Sequence, residues 1–228
     1  MNKKKLLALA IVVIMIAILS FSSLAWFTDA DSAKNDFTVA GAGQEDPDKI
    51  FSVDVKENVD GEEEAVDGMD FEDVLPGDNF KKEAYVSNTG SYEQYIRVIM
   101  TITDWNEIKD IVTIKMDEKF AENWHIAEGG ITVTDEGILV NNYAAVDANG
   151  NLVVTLYLNK KLQAQEKVDI MDYVEISKDA TQADFASANF ADGFQIVFDA
   201  DAAQTENILA TYGTEEWKNA QATFEALS

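Results

Sequence analysis

The sequence predicts an all-β domain, a jelly roll or β-sandwich with a few short helices, preceded by an N-terminal signal helix. Three observations lead there. Short runs of β-branched and aromatic residues recur along the chain, each closed by a Gly, Pro or Asn turn signal. Apolar stripes at helical spacing are few. A long uncharged run directly follows three lysines at the N-terminus. These divide the chain into a signal peptide over 1–25, an N-terminal segment over 26–43, and a β domain over 44–228.

The elements follow in chain order. Lys3, Lys4 and Lys5 form a positive start, and Leu6 to Leu19 carries no charge. Ser23 and Ala25 place small side chains three and one positions before a cut, which makes Trp26 the first mature residue. Leu6 to Ala25 is also about long enough to span a bilayer, so a retained anchor is the competing expectation. Trp26 to Ala40 is polar with apolar residues at its two ends, and Ala40-Gly41-Ala42-Gly43 breaks it. Phe51, Val53 and Val55 alternate with polar residues as in a half-buried strand. Glu57 to Asp70 is densely acidic and reads as a solvated loop.

The middle of the chain carries the strongest β signals. Phe71 to Leu75 runs into Pro76-Gly77-Asp78, in which proline presets one dihedral and glycine supplies a positive one. Lys82 to Val86 leads to a second turn, Ser87-Asn88-Thr89-Gly90-Ser91. Tyr95 to Thr103 is long, β-branched and aromatic. Ile111 to Met116 and Ile131 to Thr134 are shorter strands. Gly137 to Ala145 and Leu152 to Leu158 flank Asp147-Ala148-Asn149-Gly150-Asn151, whose Asn-Gly is a hairpin signal. Val168 to Ile176 and Phe194 to Phe198 complete the strands. A short helix is expected within Asp179 to Phe190, and a second from Thr214, where Trp217, Ala220, Phe224 and Leu227 recur at helical spacing.

Composition limits the chemistry. The 228 residues hold 17 Lys and Arg against 42 Asp and Glu, a formal charge of −25. Removing residues 1–25 takes away three lysines and no acid, so the charge becomes −28. Such a surface repels phosphate backbones and anionic membranes. With no cysteine there is no disulfide framework and no thiol nucleophile. His125 is the only histidine, which rules out a paired-histidine zinc motif; it reads as a surface or loop residue. Calcium is the one candidate ion, through Asp29-x-Asp31, Asp46-x-Asp48, Asp199-x-Asp201 and the Asp147 turn. None of these continues into a twelve-residue calcium loop, so solvated acids are the plainer reading and no cofactor is expected. Trp26, Trp105, Trp124 and Trp217 are scattered, which suits packing better than a sugar platform.

Several segments together resemble the TasA/camelysin family of exported Gram-positive proteins. They are Leu24 to Asp29, Ser32 to Val39, Leu75-Pro76-Gly77-Asp78, Val86 to Ser91, Tyr95-Ile96-Arg97-Val98, and Gly193 to Glu206 with Trp217 beyond. The resemblance implies cleavage by a dedicated signal peptidase of the SipW type. It also implies a secreted biofilm-matrix fibre subunit, not an enzyme, whose partners are further copies of itself or related matrix subunits. In that family a freed N-terminal strand inserts into the next subunit; here it would span about Trp26 to Val39, with Phe27, Phe37 and Val39 as anchors. Two alternatives stay open: a camelysin-like metallopeptidase of the cell surface, and a monomeric accessory matrix protein.

Overall fold

A computed structural model describes residues 28–32, 53–59, 62–64, 69–71, 74–127, 131–141, 146–187, 193–205 and 214–227. The chain is mostly β, built from antiparallel sheets with a few short helices. The strands are β1 (Thr28–Ser32), β2 (Val53–Val59), β3 (Glu62–Glu64), β4 (Met69–Phe71), β5 (Asn79–Asn88), β6 (Gln94–Ile102), β7 (Val112–Met116), β8 (Trp124–Ile126), β9 (Ile131–Val133), β10 (Leu139–Asn141), β11 (Leu152–Leu158), β12 (Lys167–Ile176) and β13 (Phe194–Gln204). The helices are α1 (Trp105–Ile108), α2 (Phe120–Asn123), α3 (Gln182–Ser187) and α4 (Glu216–Leu227).

One sheet runs in the order β1-β13-β6-β11-β8, and β4 shares with β1 the edge of β13 that faces away from β6. The second runs β3-β2-β5-β12-β7, and β9 and β10 form a separate hairpin. Alternation explains why the two sheets close on one core. In β6 the residues Ile96, Val98, Met100 and Ile102 are all fully buried, while Arg97, Ile99 and Thr101 take the opposite face. Leu152, Val154, Leu156 and Leu158 of β11 and Ile196 and Phe198 of β13 join the same cluster. So do Val53, Val55 and Val86 from the second sheet. In β12 the register shifts around Met171, so the adjacent residues Ile170 and Met171 are both buried.

The turns obey local chemistry. In Leu75-Pro76-Gly77-Asp78 the Asp78 N–H donates to the Leu75 carbonyl at 3.1 Å, and Gly77 adopts φ +87°. The Asp78 carboxylate accepts the Leu75 N–H at 2.7 Å, closing the turn from the other side. At α3, Thr181 and Asp184 exchange hydrogen bonds across the first turn, a capping arrangement that explains the helix within Asp179 to Phe190.

Two expectations need correcting. The acidic stretch Glu57 to Asp70 is not a plain loop: Glu57 to Val59 extend β2 and pair with β3, and β4 pairs with β13. Edge strands are stabilised through the backbone and tolerate charge on both faces, so their composition hides them. His125 lies on β8, half-buried, rather than in a surface loop. Trp105 and Trp124 are buried in the core, as packing residues should be. The signal segment lies outside the described residues; among those described, no helix is long and apolar enough to cross a membrane.

Candidate functional site

The candidate site is the edge of β13 where β1 docks. β13 spans the sheet with β6 on one side, in continuous register from Ile196↔Ile102 to Gln204↔Gln94. Its other side is divided. β4 occupies Phe194 to Ile196, and β1 occupies Asp199 to Ala203, from Ser32↔Asp199 to Thr28↔Ala203. A five-residue stretch of the N-terminal segment therefore completes this sheet within its own chain. Three of the five β13 residues paired here, Ala200, Ala202 and Ala203, are small and buried.

The end of β13 is held firmly. Thr205 donates through Oγ1 to Glu93 Oε1 at 2.9 Å, and Lys161 Nζ donates to the same oxygen at 2.9 Å. Hydrogen bonds from Lys161 and Thr205 hold the Glu93 carboxyl below its usual range. On the outer face, Arg97 and Asp201 are cross-strand partners, with Arg97 Nε 2.7 Å from Asp201 Oδ2. Helix α4 covers that pair. The Arg97 guanidinium lies 4.8 Å from the Phe224 ring centroid, and Tyr157, Tyr95, Ala203, Ala220 and Phe224 form a second apolar cluster there. Tyr95 donates to Glu216 at 3.1 Å, and burial, with Glu216 beside it, pushes its hydroxyl up to about 12. At the N-terminal end of the helix, Trp217 stacks on His125 with ring centroids 3.5 Å apart. Burial pushes the His125 pKa down.

The two motif turns lie at opposite ends of β5 and do not form one site. Pro76, Gly77 and Asp78 sit against Ile176, where Gly77 N–H donates to the Ile176 carbonyl at 3.1 Å. Asn88 is fully buried at the other end. Its amide donates to the carbonyls of Tyr92 at 2.8 Å and Leu162 at 2.9 Å, and its side-chain oxygen accepts the Gly90 N–H at 2.9 Å. Asn88 and Gly90 are thus structural clasps. Ser23, Ala25, Trp26, Phe27, Phe37 and Val39 lie outside the described residues.

The acid pairs have local duties where they are described. Asp147 accepts the N–H groups of Asn149 at 2.8 Å and Asn151 at 2.9 Å, and these bonds hold its carboxyl below the usual range. Asp201 is committed to Arg97. Asp46 and Asp48 lie outside the described residues, and Asp29 and Asp31 are in β1. Among the described residues, no three His, Cys, Asp or Glu side chains are grouped as metal ligands would be. Sequence reasoning missed the Arg97–Asp201–Phe224 stack, because the ion pair alone joins residues over a hundred positions apart, through the pairing of β6 with β13, and Phe224 comes from a third element, α4. No protein-family model matches the chain, and no curated protein matches it either.

Proposed function

We propose that this is an exported, non-enzymatic structural subunit of an extracellular matrix fibre. Removal of residues 1–25 by a signal peptidase would free the segment from Trp26, and subunits would join by passing that segment to a neighbour. The proposed fold is a jelly roll, and what supports it is nesting. β1 pairs β13, β5 pairs β12 and β6 pairs β11, so the chain doubles back on itself as a long rolled hairpin.

The observation that carries the functional reading is the outermost of those pairs. β1 lies at a sheet edge and is separated from β2 by residues 33–52, so it can leave its own β13 without disturbing the other pairs. An element exchanged between identical chains keeps its backbone ladder, and the balance between closed monomer and open polymer is then set by concentration and tether strain. No resident cofactor is required, and self-association is the partnership expected.

Electron microscopy of the chain beginning at Trp26, beside one beginning at Gly41, tests this with and without calcium and at lowered pH. Filaments from the longer form and none from the shorter are expected. Filaments from both would remove the N-terminal strand from the mechanism, and filaments from neither would leave an accessory protein.

A further inference from the structure

Helix α4 covers only part of the outer face of the first sheet. Beneath it lie Tyr95, Tyr157 and Ala203, and the Arg97 guanidinium that pairs with Asp201 faces the Phe224 ring. Farther along the same three strands, six residues alternate with core residues and so face outward: Val153 and Thr155 on β11, Ile99 and Thr101 on β6, Val197 and Asp199 on β13. The registers set Val153, Thr101 and Val197 in one row and Thr155, Ile99 and Asp199 in the next. All six are half-buried, and Ile99, Val153 and Val197 belong to neither apolar cluster. Every one but Asp199 is uncharged.

Strand propensity alone does not account for that. The outer face of the second sheet meets the same preference for β-branched and aromatic residues, yet it carries charge. Lys81, Tyr173 and Lys115 make one row there, and Lys56, Tyr85 and Asp169 another. Charged residues make up 26% of the chain, and acids outnumber bases 42 to 17, so a face nearly cleared of charge points to what it meets. A cationic partner would be drawn by carboxylates, and a polyanionic one by lysines. Only for a partner with the same excess of acid is each carboxylate at the contact a penalty. We infer that this face of β11, β6 and β13 binds the same face of a second copy, independently of the N-terminal strand. The contact is isologous, with the two sheets packed face to face about 10 Å apart and Asp199 at its rim. Strand spacing and rise give the two rows roughly 200 Å² per copy, well short of the roughly 800 Å² of a stable interface. Free chains therefore meet there transiently, and arrayed copies hold by many such contacts at once.

The chain has no cysteine, so single thiols report the contact. Thr101→Cys places one within the face, and Thr113→Cys places one at a similarly half-buried position on the outer face of the second sheet. Chains beginning at Trp26 are treated with a bis-maleimide whose reach matches the roughly 10 Å between packed sheets, and covalent dimer is followed over a salt series. Thr101→Cys should dimerise on the order of tenfold faster than Thr113→Cys, and faster still as salt screens the acids. Adding Thr155→Glu should remove most of that advantage, whereas Thr155→Gln or Thr113→Glu should leave it. Equal rates for the two thiols overturn the inference. An equal loss from Thr155→Glu and Thr155→Gln, or from Thr155→Glu and Thr113→Glu, overturns it too, since charge at this face would then not govern the contact. Filaments are a separate readout. Dimer without filaments supports this face while strand exchange fails; filaments with no faster Thr101→Cys dimer leave exchange standing and overturn the face.

Discussion

Asn88 sits with no exposure at the end of β5, where each of its three side-chain bonds answers a backbone group, two of them buried. Its own N–H and carbonyl join the Glu166 and Gln165 backbones at 2.9 Å, so one residue ties the turn over 88–92 to the loop before β12. Asn88→Ala would remove one bond each from the Tyr92 carbonyl, the Leu162 carbonyl, which keeps the Gln94 N–H, and the Gly90 N–H. A loss on the order of 3 kcal/mol is expected, read as a lower urea midpoint at unchanged slope. Asn88→Asp keeps the acceptor for Gly90 but points a carboxylate at two carbonyls, so it should be at least as damaging at pH 7. That carboxyl would have a raised pKa in the folded state, so part of the loss should return as the pH falls through it. If Asn88→Asp is as stable as the parent at pH 7, the two amide donors contribute little. Asn-Thr-Gly is legible in sequence as a turn. That Asn88 is a buried clasp is not, because its partner Leu162 comes 74 residues later.

At the scale of elements, legibility follows burial. β6, β11 and β12 declare themselves because each has one face in the core, which forces alternation on the sequence. α4 does so through Trp217, Ala220, Phe224 and Leu227. β3 consists of three glutamates and β1 of Thr-Asp-Ala-Asp-Ser; edge pairing through the backbone leaves no such trace. β8 is hidden by its length of three residues, and with it the placement of His125 under α4. That stack gives the helix a pH dependence whose sign is fixed. The folded His125 pKa lies below its unfolded value of 6.5, because burial disfavours the charged ring more than Glu215 favours it. Its contribution to docking is therefore fully present above pH 6.5 and declines as pH falls through the lower folded value. Lys218 also faces the ring and adds to the depression. The Glu215 carboxyl, held low by Lys218, loses its own interaction only in more acid solution. Faster amide hydrogen exchange in α4 relative to the intrinsic rate is expected as the pH falls from about 7 to about 5. His125→Phe keeps a ring against Trp217 and removes the titration, so its exchange, corrected for intrinsic rates, should stay flat. The same rise in that variant would place the pH sensitivity elsewhere.

For the whole molecule the governing quantity is charge. Under the proposed exchange, a chain processed to −28 would have to approach copies of equal charge, and β1 carries Asp29 and Asp31 along the β13 stretch that holds Asp199 and Asp201. Coulomb repulsion acts on the encounter, whereas the backbone ladder formed afterwards is insensitive to salt. The Debye length shrinks from about 30 Å at 0.01 M ionic strength to about 8 Å at 0.15 M, which brings it below the width of a small domain. Elongation from preformed seeds should accordingly accelerate on the order of tenfold over that range in a monovalent salt, measured by light scattering at fixed protein concentration. Concentration separates the two possible slow steps. Where repulsion limits growth, the rate rises in proportion to free chain and responds to salt. Where release of β1 from its own β13 limits growth, each chain must open before it can add. The rate is then capped by that opening and becomes independent of seed number and salt. A salt-independent rate would therefore move the barrier from the surface of the molecule to the pairing of Thr28 to Ser32 with Asp199 to Ala203. In that case Asp29→Asn/Asp31→Asn, which removes two charges from β1 opposite the β13 stretch that holds Asp199 and Asp201, should slow assembly by holding the closed form together.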